Sequence, residues 1–384
     1  MIIIDDRSKC SGCKACANAC PVQAITFTYD DEGTWYPEVD KDKCVNCGLC
    51  EKVCPFRDDH HGVPEDNECF ETQFFAARLK DDSLLDGVSS GGAFYGLAMA
   101  VLTDGGVVYG AAREDVDHVF HTRISSAEDL VKIRKSKYLQ SDMGTCYKTA
   151  REDLSAGRKV LFSGTGCQIA ALNRFLGKQH DNLYTCEVIC HGVPLQSVWS
   201  LYRSDKESRV GKKIVDIDFR DKSKGWSNNQ YKTVYEDGSE EYELSVSHPF
   251  HAGYLKGLFY RPSCGTCPFA SMPRVADITL ADYWRYEGRL KEGNLGVSLV
   301  GVNSLKGLNI MKSLEKWLIM EDSSGQDALL SCRHMDDHPV ENPLRSAFLK
   351  RLFKKGYYAA AKEFIIDVSI INRIKNRIRR MVRR

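Results

Sequence analysis

The sequence predicts an α+β protein with a small cysteine-rich head, a larger mixed α/β body and a basic amphipathic helix at its carboxyl end. Half of the 16 cysteines form a repeat near the amino terminus. In the later part of the chain, apolar runs with the pattern of β-strands alternate with apolar runs that have the pattern of helices. A chain of 384 residues also exceeds one small domain. We expect the head at residues 1–60, two body regions at 70–205 and 206–345, and the basic tail at 346–384.

The cysteine repeat of the head has the spacing of iron–sulfur ligands. Each copy reads Cys-x2-Cys-x2-Cys-x3-Cys-Pro, and the second copy follows at a constant offset of 34 residues. Thiolates in such a run bind 4Fe–4S clusters as in bacterial ferredoxins, and the fourth cysteine of each copy ligates the other cluster. Zinc or disulfides are the alternatives, but neither needs two interleaved sets of four. The predicted ligands are Cys10, Cys13, Cys16 and Cys54 for the first cluster and Cys44, Cys47, Cys50 and Cys20 for the second.

Composition favours a cytoplasmic metal-binding protein. Met1 is not followed by a charged region and a long apolar stretch, and no apolar run is long enough to cross a bilayer. Many cysteines without an export signal indicate thiols kept reduced for metal ligation. We therefore expect a cytoplasmic location and no nucleic-acid partner.

Positive charge is concentrated at the carboxyl end. Residues 345–384 hold 13 Lys/Arg and 2 Asp/Glu, which leaves the rest of the chain with a negative balance. Apolar side chains recur there every three or four residues, which predicts a basic amphipathic helix. Two interpretations stay open: the helix attaches peripherally to the inner face of an anionic membrane, or it packs on the body or a partner. The residues concerned are Phe364, Val368, Ile371, Ile374, Ile378 and Met381, flanked by Arg373, Arg377, Arg380 and Arg384.

Turn residues and alternation predict the elements of the head. We expect a strand at Ile2–Ile4 and a β-hairpin within residues 24–39, between the two cysteine sets. Residues 57–67 are polar and predict a linker. Its two histidines, His60 and His61, are expected to be exposed and not to be ligands.

In the body, apolar runs alternate with turn signals and predict both strands and helices. We expect strands at 74–79, 106–112, from Lys159, 185–190, 214–219, 230–235, 241–246, 276–284 and 298–303, and helices up to Leu102 and at 145–154 and 307–317.

Small residues and cysteines stand where predicted strands end. Ser89-Ser-Gly-Gly92 precedes the helix that ends at Leu102; a serine can cap this helix, and the glycines let a phosphate approach, although a plain capped core helix fits equally. Ser163–Gln168 has the shape of a phosphate-binding turn but lacks the third glycine of the dinucleotide motif. Cys167 lies in that turn and Cys190 at the end of the next strand, where open α/β sheets bind ligands.

Taken in order, the motifs of about residues 70 to 310 resemble the coenzyme F420 hydrogenase/dehydrogenase beta-subunit family of iron–sulfur flavoproteins. The resemblance implies an FAD-binding body with a further 4Fe–4S cluster beside the flavin. The motifs that carry it are Ser89–Gly92, Ser136-Lys-Tyr138, Ser163–Gln168, Cys190-His-Gly192, Cys264-x2-Cys267 and Asp277–Asp282.

The same resemblance implies roles for single residues. Cys186 is a reserve cluster ligand, because strand alternation would put it on the same face as Cys190. The CxxC at Cys264 and Cys267 is alternatively a redox dithiol or a small zinc site. Cys69, Cys146 and Cys332 are expected to be ordinary small apolar residues. The implied flavin contacts are Ser89, Ser90, Gly91, Gly92, Ser136, Lys137, Gly164 and Thr165, and the implied third-cluster ligands are Cys167, Cys190, Cys264 and Cys267.

These assignments predict an oxidoreductase that passes electrons between a low-potential donor, ferredoxin or reduced deazaflavin, and an organic acceptor through 4Fe–4S clusters and FAD. His191 and Asp282, together with Tyr283, are candidates for proton delivery. Two alternatives stay open: a non-catalytic electron-transfer subunit of a larger reductase complex, and a disulfide reductase that uses Cys264 and Cys267. The expected partner is a ferredoxin or a partner reductase subunit.

Overall fold

The computed structural model describes residues 1–57 and 61–366 of the chain. Within these ranges the strands form a two-stranded sheet in the head, a nine-stranded mixed sheet and a three-stranded antiparallel sheet. A mixed α/β body therefore follows a small head, as the sequence predicts. No helix among the described residues has both the length and the apolar character needed to span a bilayer.

The head is built around the predicted hairpin. Strands β1 and β2 are antiparallel, with Ile25 paired to Val39. The strand predicted at Ile2–Ile4 does not form; instead Ile2 packs into the small core around the head cysteines. The elements of the head and of the linker after it are α1 Ala15–Ala19, β1 Ile25–Tyr29, β2 Trp35–Val39, α2 Leu49–Lys52 and, in the linker, α3 Glu65–Glu68.

The predicted linker is more ordered than expected. It contains the short helix α3, and the buried Asn67 side chain donates hydrogen bonds to the backbone carbonyls of Arg274 and Ala276. His61 is half-buried, not exposed, and its ring lies 5.9 Å from that of Phe269. His60 lies outside the described residues.

The body contains all of the predicted strands, as well as β5, β6 and β14, which the sequence patterns did not predict. Its strands are β3 Gln73–Leu79, β4 Val107–Arg113, β5 Val119–Ile124, β6 Ser141–Asp142, β7 Val160–Thr165, β8 Leu183–Val188, β9 Ile214–Asp221, β10 Gln230–Tyr235, β11 Glu240–Leu244, β12 Ile278–Asp282, β13 Ser298–Val302 and β14 Leu318–Ser323. Its α-helices are α4 Ala93–Leu102, α5 Leu130–Ile133, α6 Cys146–Ser155, α7 Gly166–Leu176, α8 Gln196–Val210, α9 Pro249–Leu255, α10 Leu305–Leu314, α11 Gly325–Ser331, α12 Arg345–Lys355 and α13 Tyr357–Ala361.

The order of strands in the large sheet is β14-β3-β13-β12-β8-β7-β4-β5-β6. Its centre is parallel, since β12 pairs in parallel with β8, β8 with β7 and β7 with β4. Strand β3 runs in the same direction as β12, because both are antiparallel to β13. The carboxyl ends of five strands therefore lie along one edge, the edge at which open α/β sheets bind ligands.

The two predicted body regions do not separate in space. Strands β3 to β8 and β12 to β14 share the large sheet, whereas β9 to β11 form the second sheet between them in sequence. Both predicted regions therefore contribute strands to one sheet, and the division at residue 205 stays a prediction. The chain leaves the large sheet at α8 and returns to it at β12.

The described part of the predicted tail is packed, not separate. Helices α12 and α13 bury Phe348, Leu352 and Tyr357 in the same core as Trp199 of α8. Residues Lys362–Ile366 continue as one π-helical turn with Ile365 buried. The predicted amphipathic helix beyond this point lies outside the described residues.

The head is docked on the body through polar contacts. Lys14 pairs with Asp142, Nζ to Oδ2, at 2.6 Å, and Arg345 pairs with Glu32 of the hairpin turn. The Asn18 amide donates to the Gly144 carbonyl at 2.8 Å. These contacts fix one side of the head, the side of α1, against the body.

Candidate iron–sulfur and nucleotide sites

The predicted ligands of the second head cluster line one cavity, and we call them the outer set. They include Cys20 from the first copy of the repeat. This position agrees with the prediction that the fourth cysteine of each copy ligates the cluster of the other copy. Cys47 is exposed and Val45 beside it is 60% exposed. The outer set is Cys20, Cys44, Cys47 and Cys50.

The predicted ligands of the first cluster are also neighbours, and we call them the inner set. Burial raises the pKa of Cys16, and the nearby Cys13, Cys10 and Cys54 thiolates raise it further. Three of these thiols are buried, in contrast to the exposed Cys47 of the outer set. The inner set is Cys10, Cys13, Cys16 and Cys54.

The four cysteines implied as third-cluster ligands line a single cavity in the body, and we call them the body set. Cys167 is the second residue of α7, directly after β7, and Cys190 follows the end of the adjacent strand β8. Parallel pairing of β7 and β8 brings these two together, and the loop after Arg261 supplies the other two. The body set is Cys167, Cys190, Cys264 and Cys267.

The thiols of the body set interact with one another and with the turn. Burial raises the pKa of Cys190 to about 12, with the Cys167 thiolate adding to the effect, and burial likewise raises the pKa of Cys264 to about 12. The Thr165 hydroxyl lies 3.2 Å from Cys167 Sγ, and the Val193 amide donates to Cys264 Sγ at 3.4 Å. Buried thiols that contact a backbone amide and a hydroxyl group suit ligands of a soft metal.

The inner set and the body set lie side by side. The pKa of Cys13 is raised chiefly by burial and also by thiolates that include Cys167 of the body set. Ser11, which lies between two head cysteines in sequence, lines the body cavity. The outer set thus contains the exposed Cys47, and the inner set is the one against the body.

The other cysteines do not join these cavities. Cys186 lies inside β8, fully buried in the core, and does not line the body cavity, so the reserve-ligand prediction finds no support. Cys146 donates to the His121 carbonyl. All sixteen cysteines are free thiols, and among residues 1–57 and 61–366 no group of three or more His, Cys, Asp or Glu is placed to hold a single metal ion. In a 4Fe–4S cluster each thiolate binds a different iron, so its ligands do not converge on one point.

The serines and the lysine implied to bind the flavin come together at the carboxyl edge of the sheet. Ser89 Oγ lies 2.9 Å from Ser136 Oγ. The Lys137 side chain is half-buried, but its ammonium points inward to the Arg134 carbonyl at 2.7 Å, and burial lowers its pKa to about 7. A second lysine, Lys222, donates to the Ser90 carbonyl at 3.0 Å, and burial lowers its pKa to about 8.

The glycine pair serves packing within the protein. A Cβ on Gly91 would lie 2.3 Å from the Ala77 carbonyl, and one on Gly92 would lie 2.4 Å from Leu79. Neither serine caps α4: its N-cap is Gly92, and Ser298 Oγ accepts the Gly91 amide at 3.0 Å. The predicted serine cap is therefore wrong, and the glycines bring the chain onto the strands of the sheet.

The turn after β7 lies with the cysteines. Thr165 and Gln168 form a capping box at the start of α7, and Thr165 lines the body cavity. A Cβ on Gly164 would meet Gln168 at 3.0 Å. The Gln168 side chain thus occupies the space beside Gly164, and the Thr165 hydroxyl contacts Cys167. The role of this turn in binding a flavin stays a prediction.

The candidates for proton delivery lie in different settings. Burial alone would raise the pKa of Asp282, but the Arg220 guanidinium lowers it, binding its Oδ2 and Oδ1 at 2.5 and 3.0 Å. Burial lowers the pKa of His191 to about 4, and its Nε2 has no hydrogen-bond partner among the described residues. Tyr283 is buried, with its hydroxyl on Ser323.

Sequence reasoning missed the side chains that the three-stranded sheet brings to this edge. Arg220 lies on β9, and Lys222 and Trp226 follow in the same segment of the chain. Trp226 donates to Asp282 Oδ1 at 3.1 Å and stacks on Trp284, with the ring planes 3° apart and the centroids 4.3 Å apart. An Arg, a Lys and a Trp at spacings of two and four carry no motif, so only the tertiary fold identifies them.

Two family models match the chain. Residues 9–57 match the 4Fe-4S dicluster domain, and residues 157–324 match the C-terminal part of the coenzyme F420 hydrogenase/dehydrogenase beta subunit. These matches define an iron–sulfur protein that is related to an oxidoreductase subunit.

Residues 157–324 are therefore similar to the coenzyme F420 hydrogenase/dehydrogenase beta-subunit family, and a 4Fe–4S dicluster domain precedes them in the chain. The resemblance and the ferredoxin-type head are thereby confirmed. The motifs at Ser89–Gly92 and Ser136–Tyr138 lie outside the matched range.

A chain in a structure of the F420-reducing [NiFe] hydrogenase complex from Methanosarcina barkeri is similar in fold. It has 17% sequence identity and a TM-score of 0.48, over 76% of this chain and 96% of that chain. No curated protein matches the chain.

Proposed function

We propose that the chain is an iron–sulfur flavoprotein oxidoreductase that passes electrons between a low-potential donor, ferredoxin or reduced deazaflavin, and an organic acceptor. One observation carries the proposal: four cysteines from three separate segments line one cavity, and that cavity adjoins the inner set of the dicluster head. Four thiols in the body beside the head are soft ligands that could hold the next electron carrier after the two head clusters.

The residues around the body cavity fit a third 4Fe–4S cluster. Its four thiols are the ligand type and number that such a cluster takes. Arg274 lines the same cavity as part of an ion pair with Glu187, and Phe56 and Phe269 cover the cavity with apolar surface. Cys167, Cys190, Cys264 and Cys267 would hold the cluster, and the aromatic cover would limit access of water.

The side chains at the serine edge fit a phosphate-bearing flavin nucleotide. Lys137 and Lys222 are lysines whose buried ammonium groups an anion would stabilise, and Ser89, Ser90 and Ser136 supply hydroxyl groups beside them. FAD, once bound, would exchange one or two electrons and so match one-electron clusters to a two-electron organic acceptor. The Gly91–Gly92 backbone is occupied by protein contacts, so we assign the binding to the side chains.

The neighbouring charged residues would orient these groups. Asp282 holds Arg220 in place, and Trp226 fixes Asp282 in turn. We infer that Asp282 positions the arginine, since a carboxylate that is kept ionised has no proton to donate at neutral pH. His191, with its free Nε2 and its ring 4.4 Å from that of His334, is the better candidate for handling a proton.

The exposed outer set is where a partner protein would meet the head. Cys47 and Val45 are exposed there, whereas the inner set is covered by the body. A ferredoxin or a partner reductase subunit would therefore dock on the outer face.

The test is anaerobic purification followed by quantification of iron, sulfide and flavin in the same sample. The proposal expects about twelve iron atoms and one flavin per chain. About eight iron atoms without flavin would overturn it and leave an elaborate ferredoxin. Turnover of an organic acceptor only after a partner protein is added would identify an electron-transfer subunit in place of a complete enzyme.

A further inference from the structure

Among the residues that the structure describes, three arginines are almost fully buried: Arg261, Arg274 and Arg345 are 1%, 3% and 7% exposed. A buried charge is costly unless an opposite charge compensates it. Arg274 is paired with Glu187 and Arg345 with Glu32. Within residues 1–57 and 61–366, no carboxylate lies at ion-pair distance from Arg261. The most buried arginine of the three is thus the one without a carboxylate partner.

The contacts of Arg261 show where its compensating charge lies. Its guanidinium donates to the Cys10 carbonyl at 2.8 Å, to the Trp35 carbonyl at 2.9 Å and to the Gln140 amide oxygen at 3.0 Å. The fourth acceptor is Cys10 Sγ, at 3.7 Å from Nη2. The guanidinium also lies 4.8 Å from the centre of the Tyr36 ring. Of these hydrogen-bond acceptors, only the Cys10 thiolate can carry a negative charge.

The backbone of Arg261 lies beside the body set and is hydrogen-bonded to the loops that carry it. Its amide donates to the Val193 carbonyl at 2.8 Å, and its carbonyl accepts the Cys264 amide at 2.9 Å. Arg261 also lines the body cavity, and its guanidinium contacts the head at Cys10. Its charge also acts on the Cys264 thiol, whose pKa burial raises and Arg261 partly lowers.

The head leaves space for this side chain. Gly12 follows Cys10 by two residues and has a φ of +69°. A Cβ at Gly12 would lie 2.7 Å from Arg261 Nη1 and 2.5 Å from the Trp35 indole nitrogen. A side chain at this position would therefore displace the guanidinium. The cysteine loop of the head and the CxxC loop of the body are therefore in close contact through the Arg261 side chain.

We propose that Arg261 is a positioning residue that locks the inner set of the head against the body set and raises the reduction potential of the inner iron–sulfur centre. The effect on the inner centre rests on the dicluster head alone, whereas the coupling to the body set rests on the proposed third cluster.

General electrostatics gives the sign of the effect. Reduction adds negative charge to an iron–sulfur centre, and a nearby cation or N–H···S hydrogen bond stabilises the reduced form. Arginine stays protonated at any pH at which the protein is folded, so the effect is permanent. Burial strengthens it, because little water screens the charge. Removal of Arg261 should therefore lower the potential of the inner centre and leave the exposed outer centre unchanged.

The experiment is an EPR-monitored redox titration of anaerobically purified Arg261→Gln and Arg261→Lys full-length proteins. We expect a negative shift of one head centre in the Gln variant, a smaller shift in the Lys variant, which keeps the charge, and no shift of the other head centre. The magnetic coupling between the inner centre and the body centre should also weaken in the Gln variant.

The matched control is Arg345→Gln. Arg345 also ties the head to the body and is almost as buried, but it contacts Glu32 and no cysteine. Unchanged potentials in both Arg261 variants, equal shifts of both head centres, or the same shift in Arg345→Gln would each overturn the proposal. Should the Gln variant fail to fold, the Lys variant decides alone. Absence of a body cluster would refute the proposed function but would leave the shift of the inner centre measurable.

Discussion

The Arg220 guanidinium binds both carboxylate oxygens of Asp282, at 2.5 and 3.0 Å, and so joins the second sheet to the carboxyl edge of the large sheet. Strand β9 carries the arginine and strand β12 ends on the carboxylate. The pair is mostly buried, at 11% and 18% side-chain exposure. It therefore links the fold to the candidate nucleotide site.

Replacement of Asp282 by Asn should destabilise the protein and reduce its flavin content. Asparagine keeps the shape but leaves the buried Arg220 charge unpaired, which costs about 2–4 kcal/mol. Urea unfolding, together with the flavin-to-protein ratio, measures both effects. The control is Arg289→Ala, because Arg289 pairs with Glu321 at an exposed position and its loss should cost under about 1 kcal/mol. Equal stability of the two variants would contradict the structural role of the pair.

Binding of a flavin nucleotide should weaken as the pH rises above 7. In the free protein the pKa of Lys137 is lowered to about 7 by burial, so its amine is mostly neutral at higher pH. An anionic phosphate favours the ammonium form, so binding takes up a proton in this range. The affinity should then fall by at most about tenfold per pH unit.

Fluorescence titration of deflavinated protein with FAD between pH 6 and 9 measures this dependence. A Lys137→Met variant should bind more weakly and with a flatter pH profile. A Lys132→Met change on α5, where the exposed Lys132 pairs with Asp129, should leave both the affinity for FAD and its pH dependence unchanged. A pH-independent affinity in the parent protein would place the phosphates elsewhere.

The exchange of the fourth cysteines between the two head clusters makes a third test. Cys20 belongs to the first cysteine motif by sequence but to the outer cavity by structure. Cys20→Ser should therefore remove the exposed centre and spare the centre beside the body, and Cys54→Ser should do the reverse. EPR of the reduced variants identifies the remaining centre by its magnetic coupling to the body. If Cys20→Ser removed the coupled centre, the assignment of the two sets would be exchanged.

Much of the site could be predicted because metal ligands have fixed spacings. The eight head cysteines follow from two copies of one motif, and the strand ends at Thr165 and Val188 place Cys167 and Cys190 together. Cys186 shows the limit of the alternation argument. Strand β8 ends at Val188, so alternation does not extend to Cys190, and Cys186 faces the core.

The features that were missed depend on contacts between distant parts of the chain. Arg220, Lys222 and Arg261 lie in polar or mixed segments, and nothing in the local sequence distinguishes them from surface cations. Helix α8 buries Lys206 and Glu207 along with its apolar residues, so it has no clean apolar stripe. The start of the basic tail packs on the body, because Phe348 and Tyr357 are buried in the same core as Trp199.

The most direct test of the central claim is the iron content of Cys190→Ser and Cys264→Ser proteins, purified without oxygen beside the parent and a Cys69→Ser control. We predict that each body-set variant loses about four of about twelve iron atoms, while the EPR signals of both head centres persist and the control keeps all its iron. A parent with only the iron of the head, or body-set variants that retain the full iron content, would contradict the claim that the body cavity holds a cluster.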